Sequence, residues 1–419
     1  MSQPAVPDLG HRRRFLRGRD PHEPHRAATP LELLYDLVFV VAFGQAANEL
    51  AHYVAEDHVV TGLLGFAFAV FAIAWAWISY SWFASAYDVD DWVCRLATMV
   101  QMVGVIILAL GLPEVFASID HGPTLDNGVV VAGYIVMRVP MAFQWLRAAK
   151  HDPARRAAHM TYVWTIVVAQ IGWTALVFLS LPIATTAVLY LALYAIELAG
   201  PAIAQRRKGG TPWHPHHIAE RYGLLVIITL GEGIIGTVAS LSAVVHGPAG
   251  WSTDAVLVTV AGTGLTFGLW WSYFTVPWGE LLHLRPSRSF VWGYLHMLVF
   301  GGLAGVGAGL HVAAYFLEEH TEIGPVGTVL SVAVPLAVFV VMLYAIWTAM
   351  MRRRDPFHTG LLVGTAAVLV LAVVLAELGL GMAWCLVVLA LAPVVTIVGY
   401  ETVGHRHQEA LLADMGASS

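Results

Sequence analysis

Twelve apolar runs, each long enough to cross a bilayer as a helix, dominate this chain and leave little else to fold. They are expected at 31–53, 60–83, 93–116, 128–147, 161–181, 183–204, 218–244, 254–276, 290–316, 326–350, 358–377 and 382–401. A hydrocarbon core of about 30 Å takes ~20 apolar residues at 1.5 Å per residue. Inside it backbone N–H and C=O groups have no water to bond, so only helices or closed barrels can span. Barrel strands alternate apolar and polar residues; these runs do not, which makes them helices. The stretch 161–204 also reads as one broken pair. Composition fits: the chain is 58% hydrophobic and 12% charged, where a water-facing domain carries about 25% charged residues. The partner implied is the lipid bilayer. A net charge of −6 offers nothing to nucleic acid.

The basic residues orient the bundle. With the N-terminus inside, every Lys and Arg of the 22 except Arg138 falls in a cytoplasmic segment or the helix end beside it. The expected outer loops, 54–59, 117–127, 182, 245–253, 317–325 and 378–381, hold none. Positive charge resists translocation, so the expected topology is N-in and C-in. A missed helix would invert every later loop, so the pattern also checks the span count. His11-Arg12-Arg13-Arg14-Phe15-Leu16-Arg17 formally matches a twin-arginine export signal. Asp20, His22, Glu23, His25 and Arg26 separate it from the first apolar run, which itself carries Glu32 and Asp36. The reading is therefore a basic cytoplasmic tail.

An internal duplication is expected. Tyr35-Asp36-Leu37-Val38 through Gly44-Gln45 lines up with Tyr222-Gly223-Leu224-Leu225 through Gly231-Glu232, and Trp77-Ile78-Ser79-Tyr80 with Trp270-Trp271-Ser272-Tyr273. Six spans separate the copies, so they run in the same sense, as parallel repeats. The organisation read from this is a tail (1–28), a first six-helix repeat (29–204), a cytoplasmic linker (205–217), a second repeat (218–404) and a cytoplasmic tail (405–419). Gly301, Gly305 and Gly309 share one face of span nine, where small residues let helices approach closely, within the chain or between copies of a homo-oligomer. Cys94 and Cys385 fall in different spans at opposite faces, which argues against a disulfide and against a metal site. No metal and no cofactor is expected.

Ionisable groups inside a span cost at least ~2.5 kcal/mol at mid-bilayer, so they face the bundle interior and mark function. Near the cytoplasmic face, Glu32 and Asp36 share a helix face, Asp88, Asp90 and Asp91 precede span three with Arg95 one turn on, and His217, Glu220 and Arg221 open span seven. Glu32, Asp90 and Asp91 also suit helix N-termini, where carboxylates are favoured by the helix dipole. Deeper lie Glu232, its repeat counterpart Gln45, Glu197 ahead of Pro201, and Arg138 two residues before Pro140. A buried arginine needs a partner, and Glu197, Asp36 and Glu232 are the candidates.

Leu31-Glu32-Leu33-Leu34-Tyr35-Asp36-Leu37-Val38-Phe39-Val40, Tyr87-Asp88-Val89-Asp90-Asp91 with Arg95, and His217-Ile218-Ala219-Glu220-Arg221-Tyr222-Gly223-Leu224-Leu225 with Gly231-Glu232 resemble signatures of the bacterial low-temperature-requirement A family of membrane proteins. The resemblance covers about residues 26–405 and implies a multi-pass protein of the bacterial inner membrane. That family name describes a growth phenotype and implies no reaction.

Function then rests on the polar residues. The first expectation is a permease for a small solute, with a proton as candidate coupling ion carried by Glu232 or Asp36 and with Arg138 as counter-ion. No nucleotide-binding motif is present. The second is a membrane-embedded enzyme acting on a lipid or prenyl substrate, its acids at Glu32, Asp36, Asp88, Asp90 and Asp91 holding Mg²⁺ and a phosphate head group with Arg95 and Arg221. The third is a structural or assembly protein. An enzyme needs its acids converging on one pocket at one face, whereas a permease needs polar residues through both leaflets.

Overall fold

A computed structural model describes residues 15–417 except 22, 24, 25, 248 and 249. Arg12, Arg13, Arg14, His22 and His25 of the basic tail lie outside the described residues. Among the described residues the fold is all-α, with twelve helical segments long and apolar enough to cross a membrane. In chain order the helices are α1 Pro30–Ala55, α2 Val59–Tyr87, α3 Trp92–Leu110, α4 Leu112–His121, α5 Gly128–His151, α6 Arg156–Leu179, α7 Ile183–Arg206, α8 Pro215–Val245, α9 Thr253–Phe274, α10 Trp278–Leu284, α11 Ser289–Leu317, α12 Pro325–Met351, α13 Pro356–Glu377, α14 Met382–Ala390, α15 Ala392–Gly399 and α16 His405–Ala417.

Several ends are written locally. Thr29 caps α1 in a capping box with Glu32, and Pro30 follows at the first helical position, where its missing N–H costs nothing. Span three breaks at Gly111 into α3 and α4, ahead of Pro113, which has no N–H to give the preceding turn. The last span breaks likewise at Leu391, before Pro393, and runs on through a π turn into α16; the segment expected as a tail from 405 is helical. Ser180 adopts a left-handed conformation (φ 43°) and, with Pro182, closes the turn that makes α6 and α7 two helices rather than one broken pair.

The glycine face of span nine is spent inside the chain. A Cβ at Gly309 would lie 2.4 Å from the Ser331 carbonyl oxygen of α12, and one at Gly305 2.9 Å from Pro335. This is the close backbone approach that small residues permit in lipid. The helices read as copies, α1 and α8, lie side by side.

The described part of the N-terminal segment is not a loose tail but packs across the C-terminal ends of α2 and α5. Leu16 is buried and its N–H donates to Nδ1 of His151; the Arg19 N–H donates to the Ala86 carbonyl. The Arg26 guanidinium donates to the carbonyls of Ala84 and Ser85, capping the C-terminus of α2, where cations are favoured. Burial, then the charge of Arg19, pulls Arg26 down to about 10.

Candidate functional site

Among the described residues, the polar residues singled out from the sequence fall into four groups, at different depths. Nearest the arginine-bearing face, α1 and α8 are joined through Arg221. Its Nε and Nη2 donate to the two carboxylate oxygens of Asp36 at 3.0 and 2.6 Å, and its Nη1 donates to Glu32 Oε1 at 2.8 Å. His217 Nε2 sits 3.2 Å from Glu32 Oε1, and Trp77 Nε1 donates to Asp36 Oδ1 at 2.6 Å. Arg221, Asp36 and His217 are fully buried, Glu32 nearly so. All three guanidinium nitrogens are engaged and both carboxylates accept from the guanidinium, whose single charge balances one of them. Glu32 therefore does two things at once, closing the capping box of α1 and binding α8.

The second group caps α3. Asp91 is its N-cap, accepting from the Cys94 N–H, and forms a buried ion pair with Arg147 of α5. Arg95, one turn beyond Asp91, turns instead to Asp90 in a two-nitrogen contact at the surface, 2.8 and 2.9 Å. Asp88 accepts from the Asp90 N–H, and burial, then the charge of Glu32, raises its carboxyl above the usual range. Glu220 reaches the Ala28 N–H at 3.3 Å. These acids do not converge on an open pocket. Glu32, Asp36, Asp90 and Asp91 are each engaged by a guanidinium of the chain.

The third group lies at mid-depth. Arg138 Nη2 donates to Glu197 Oε2 and to the Tyr134 hydroxyl, both at 2.6 Å. Trp75 Nε1 donates to Glu197 Oε2 at 2.5 Å, and the Tyr134 hydroxyl to Glu197 Oε1 at 3.3 Å. Arg138 is 3% exposed and Glu197 2%. The partner of Arg138 is thus Glu197 on α7, which corrects the expectation that it serves as counter-ion to Asp36 or Glu232. Proline at 201, inside α7, leaves the Glu197 carbonyl without its helical donor. Neither Tyr134 nor Arg147 had been singled out as a site residue from sequence. Trp75 enters no motif of the sequence, and Trp77 enters only the duplicated Trp77-Ile78-Ser79-Tyr80.

Glu232 is the fourth. It is 2% exposed, and among the described residues its carboxyl makes no hydrogen bond or ion pair, Oε1 being fully enclosed. It fits because two glycines face it. A Cβ at Gly44 of α1 would lie 3.0 Å from its Oε1, and one at Gly307 of α11 2.6 Å from its Cβ. One turn further along α11, His311 Nε2 is likewise buried without a partner. Gln45, the counterpart of Glu232 in the duplication, instead donates to Glu49 Oε1 at 2.8 Å.

Two cavities flank the Arg138 group. The larger, open at its mouth, runs from Arg138 and Glu197 toward the arginine-bearing face, walled by Trp82, Trp145, Tyr162, Phe290 and Tyr294. The other, smaller, lies toward the opposite face between Phe68, Phe71, Tyr134, Trp173 and Tyr194. From Phe68 to Trp82 the two line ~21 Å of α2 at 1.5 Å per residue. They share a crevice because α7 packs its backbone along α6 and reaches α2, α5 and α11 through side chains. The Trp75–Tyr134–Arg138–Glu197 layer is the partition between them.

Compared with known proteins, residues 27–393 match the family model for the bacterial low temperature requirement A protein (LtrA). An uncharacterized protein, RA0937, of Rhizobium meliloti (strain 1021) is 28% identical over 290 residues, 65% of this chain and 66% of that protein's length. The chain therefore spans just under two thirds of that relative.

Proposed function

This chain belongs to the bacterial low temperature requirement A protein family, and from that premise, a multi-span membrane protein, we propose that it is a permease of the inner membrane for a small solute. The observation that carries this reading is the pair of cavities on either side of the Arg138–Glu197 layer. A path through both leaflets with a charged partition at mid-depth suits alternating access. Glu232, enclosed and without a counter-charge among the described residues, is the proposed proton carrier. Asp36, held by Arg221 and Trp77, is not free for that role. The enzyme reading would need its acids open to a ligand, and a purely structural role has no use for two cavities.

The test is sidedness. Cys94 and Cys385 are both buried and are replaced by alanine. Ser79→Cys then reports the larger cavity and Ala72→Cys the smaller, using membrane-impermeant thiol reagents on proteoliposomes. A permease exposes Ser79→Cys to the arginine-bearing side and Ala72→Cys to the other. If Ala72→Cys reacts from neither side while Ser79→Cys reacts from one, the crevice is a one-sided pocket and the permease reading fails.

A further inference from the structure

Among the described residues, two arginines are buried against carboxylates that themselves lie within the spans, and they are filled unequally. Arg221 spends all three nitrogens on two carboxylates, Asp36 and Glu32. Arg138 spends only Nη2, on Glu197 and Tyr134. Its Nε is enclosed with no acceptor, and no described group accepts from its Nη1. A buried donor without an acceptor costs the full desolvation penalty of that group, so a natural structure retains one where something else completes it. What adjoins Arg138 is the larger cavity.

The lining indicates what would complete it. Glu197 has no oxygen to spare, since Oε2 takes Trp75 and Arg138 and Oε1 takes Tyr134. The Ser79 and Thr165 hydroxyls on the wall are donated to the carbonyls of Trp75 and Thr161. Among the described lining groups, the charged function left without a full set of partners is therefore the Arg138 guanidinium, a cationic donor. Opposite it stand Trp82, Trp145, Tyr162, Phe290, Ile78 and Met141, a wall for an apolar body.

We propose that the larger cavity binds a small monocarboxylate, its carboxylate on the free donors of Arg138 and its apolar body among the aromatic rings, so that Arg138, like Arg221, carries two carboxylates. This rests on the permease reading of the same crevice and names its solute class.

The experiment uses the full chain in detergent with an isosteric series: benzoate, neutral benzamide and benzylammonium. Binding is read by thermal stabilisation and by the fluorescence of Trp75, Trp82 and Trp145. Benzoate is expected to bind at least ~10-fold tighter than benzamide, the usual worth of a charge-assisted hydrogen bond, and benzylammonium weakest. The double variant Arg138→Gln/Glu197→Gln, which leaves no buried lone charge, is expected to lose the preference for benzoate. The ligand series on the unaltered protein does not depend on that variant folding. Absent benzoate binding, equal binding of benzamide, preferred binding of benzylammonium, or undiminished benzoate binding by the double variant each overturn the proposal. Arg138-dependent benzoate binding together with an inaccessible Ala72→Cys would retain the carboxylate site and discard only the permease.

Discussion

Removing one member of the Arg138–Glu197 pair should harm the protein more than removing both. In Glu197→Gln the guanidinium stays charged, 3% exposed, with only the Tyr134 hydroxyl and an amide oxygen to face. In Arg138→Gln the carboxylate keeps Trp75 and Tyr134 as donors but loses its counter-charge. Breaking a buried pair from one side costs about 3–5 kcal/mol, while replacing both partners by neutral groups of similar volume is often near neutral. Two independent losses would sum to about 6–10 kcal/mol in the double variant; coupled losses leave it at ~1–2 kcal/mol. Because multi-span proteins seldom unfold in a two-state manner, the assay compares thermal midpoints and folded yield in detergent for wild type, both singles and the double. The double should lie between wild type and either single. If the two single losses add, the pair is not an ion pair in an apolar interior and the mid-membrane partition is wrongly conceived.

Two further outcomes follow from particular contacts. Gly309→Ala places a methyl 2.4 Å from the Ser331 carbonyl and should cost about 1–3 kcal/mol through overpacking, read as a lowered thermal midpoint; Gly360→Ala on α13, which meets nothing within 4 Å, should not lower it. Asp88, its carboxyl raised by burial and by Glu32, holds a proton more readily folded than unfolded, so its contribution to stability falls as pH climbs from the ordinary carboxylate value through the raised one. Asp88→Asn should thus stabilise the protein near pH ~7.5, with the gain vanishing toward pH ~4, and a gain independent of pH would refute the assignment.

The legible part of the site is local chemistry. That Glu32 would suit a first helical turn follows from its place at the head of the first apolar run, where the helix dipole favours a carboxylate, and is observed. That Arg138 would require an acidic partner follows from the cost of a lone charge in lipid. Which acid it meets did not follow, because Asp36, Glu197 and Glu232 each lie on another helix and what decides is how those helices are set against α5. Arg147 gave no signal beyond its charge at a helix end, since its tie to Asp91 exists only once α3 and α5 cross. Trp75 and Trp77 differ by two residues in the same helix, yet one donates to Glu197 and the other to Asp36.

By itself the sequence determined that this chain spans a membrane as a helical bundle, because run length, low charge and the unsatisfied backbone in hydrocarbon admit no other solution. It determined the twelve spans, but not the breaks at Gly111 and Leu391 inside two of them. Only the tertiary structure decided which buried charges meet. It also decided that part of the N-terminal segment closes over the ends of α2 and α5, and that α7 stands off far enough to leave a crevice with an unfilled arginine at its floor. The physical reason is range: helix formation and membrane insertion are set by residues a turn or a span apart, whereas pairing in the interior is set by rotations and offsets between helices that no local pattern encodes.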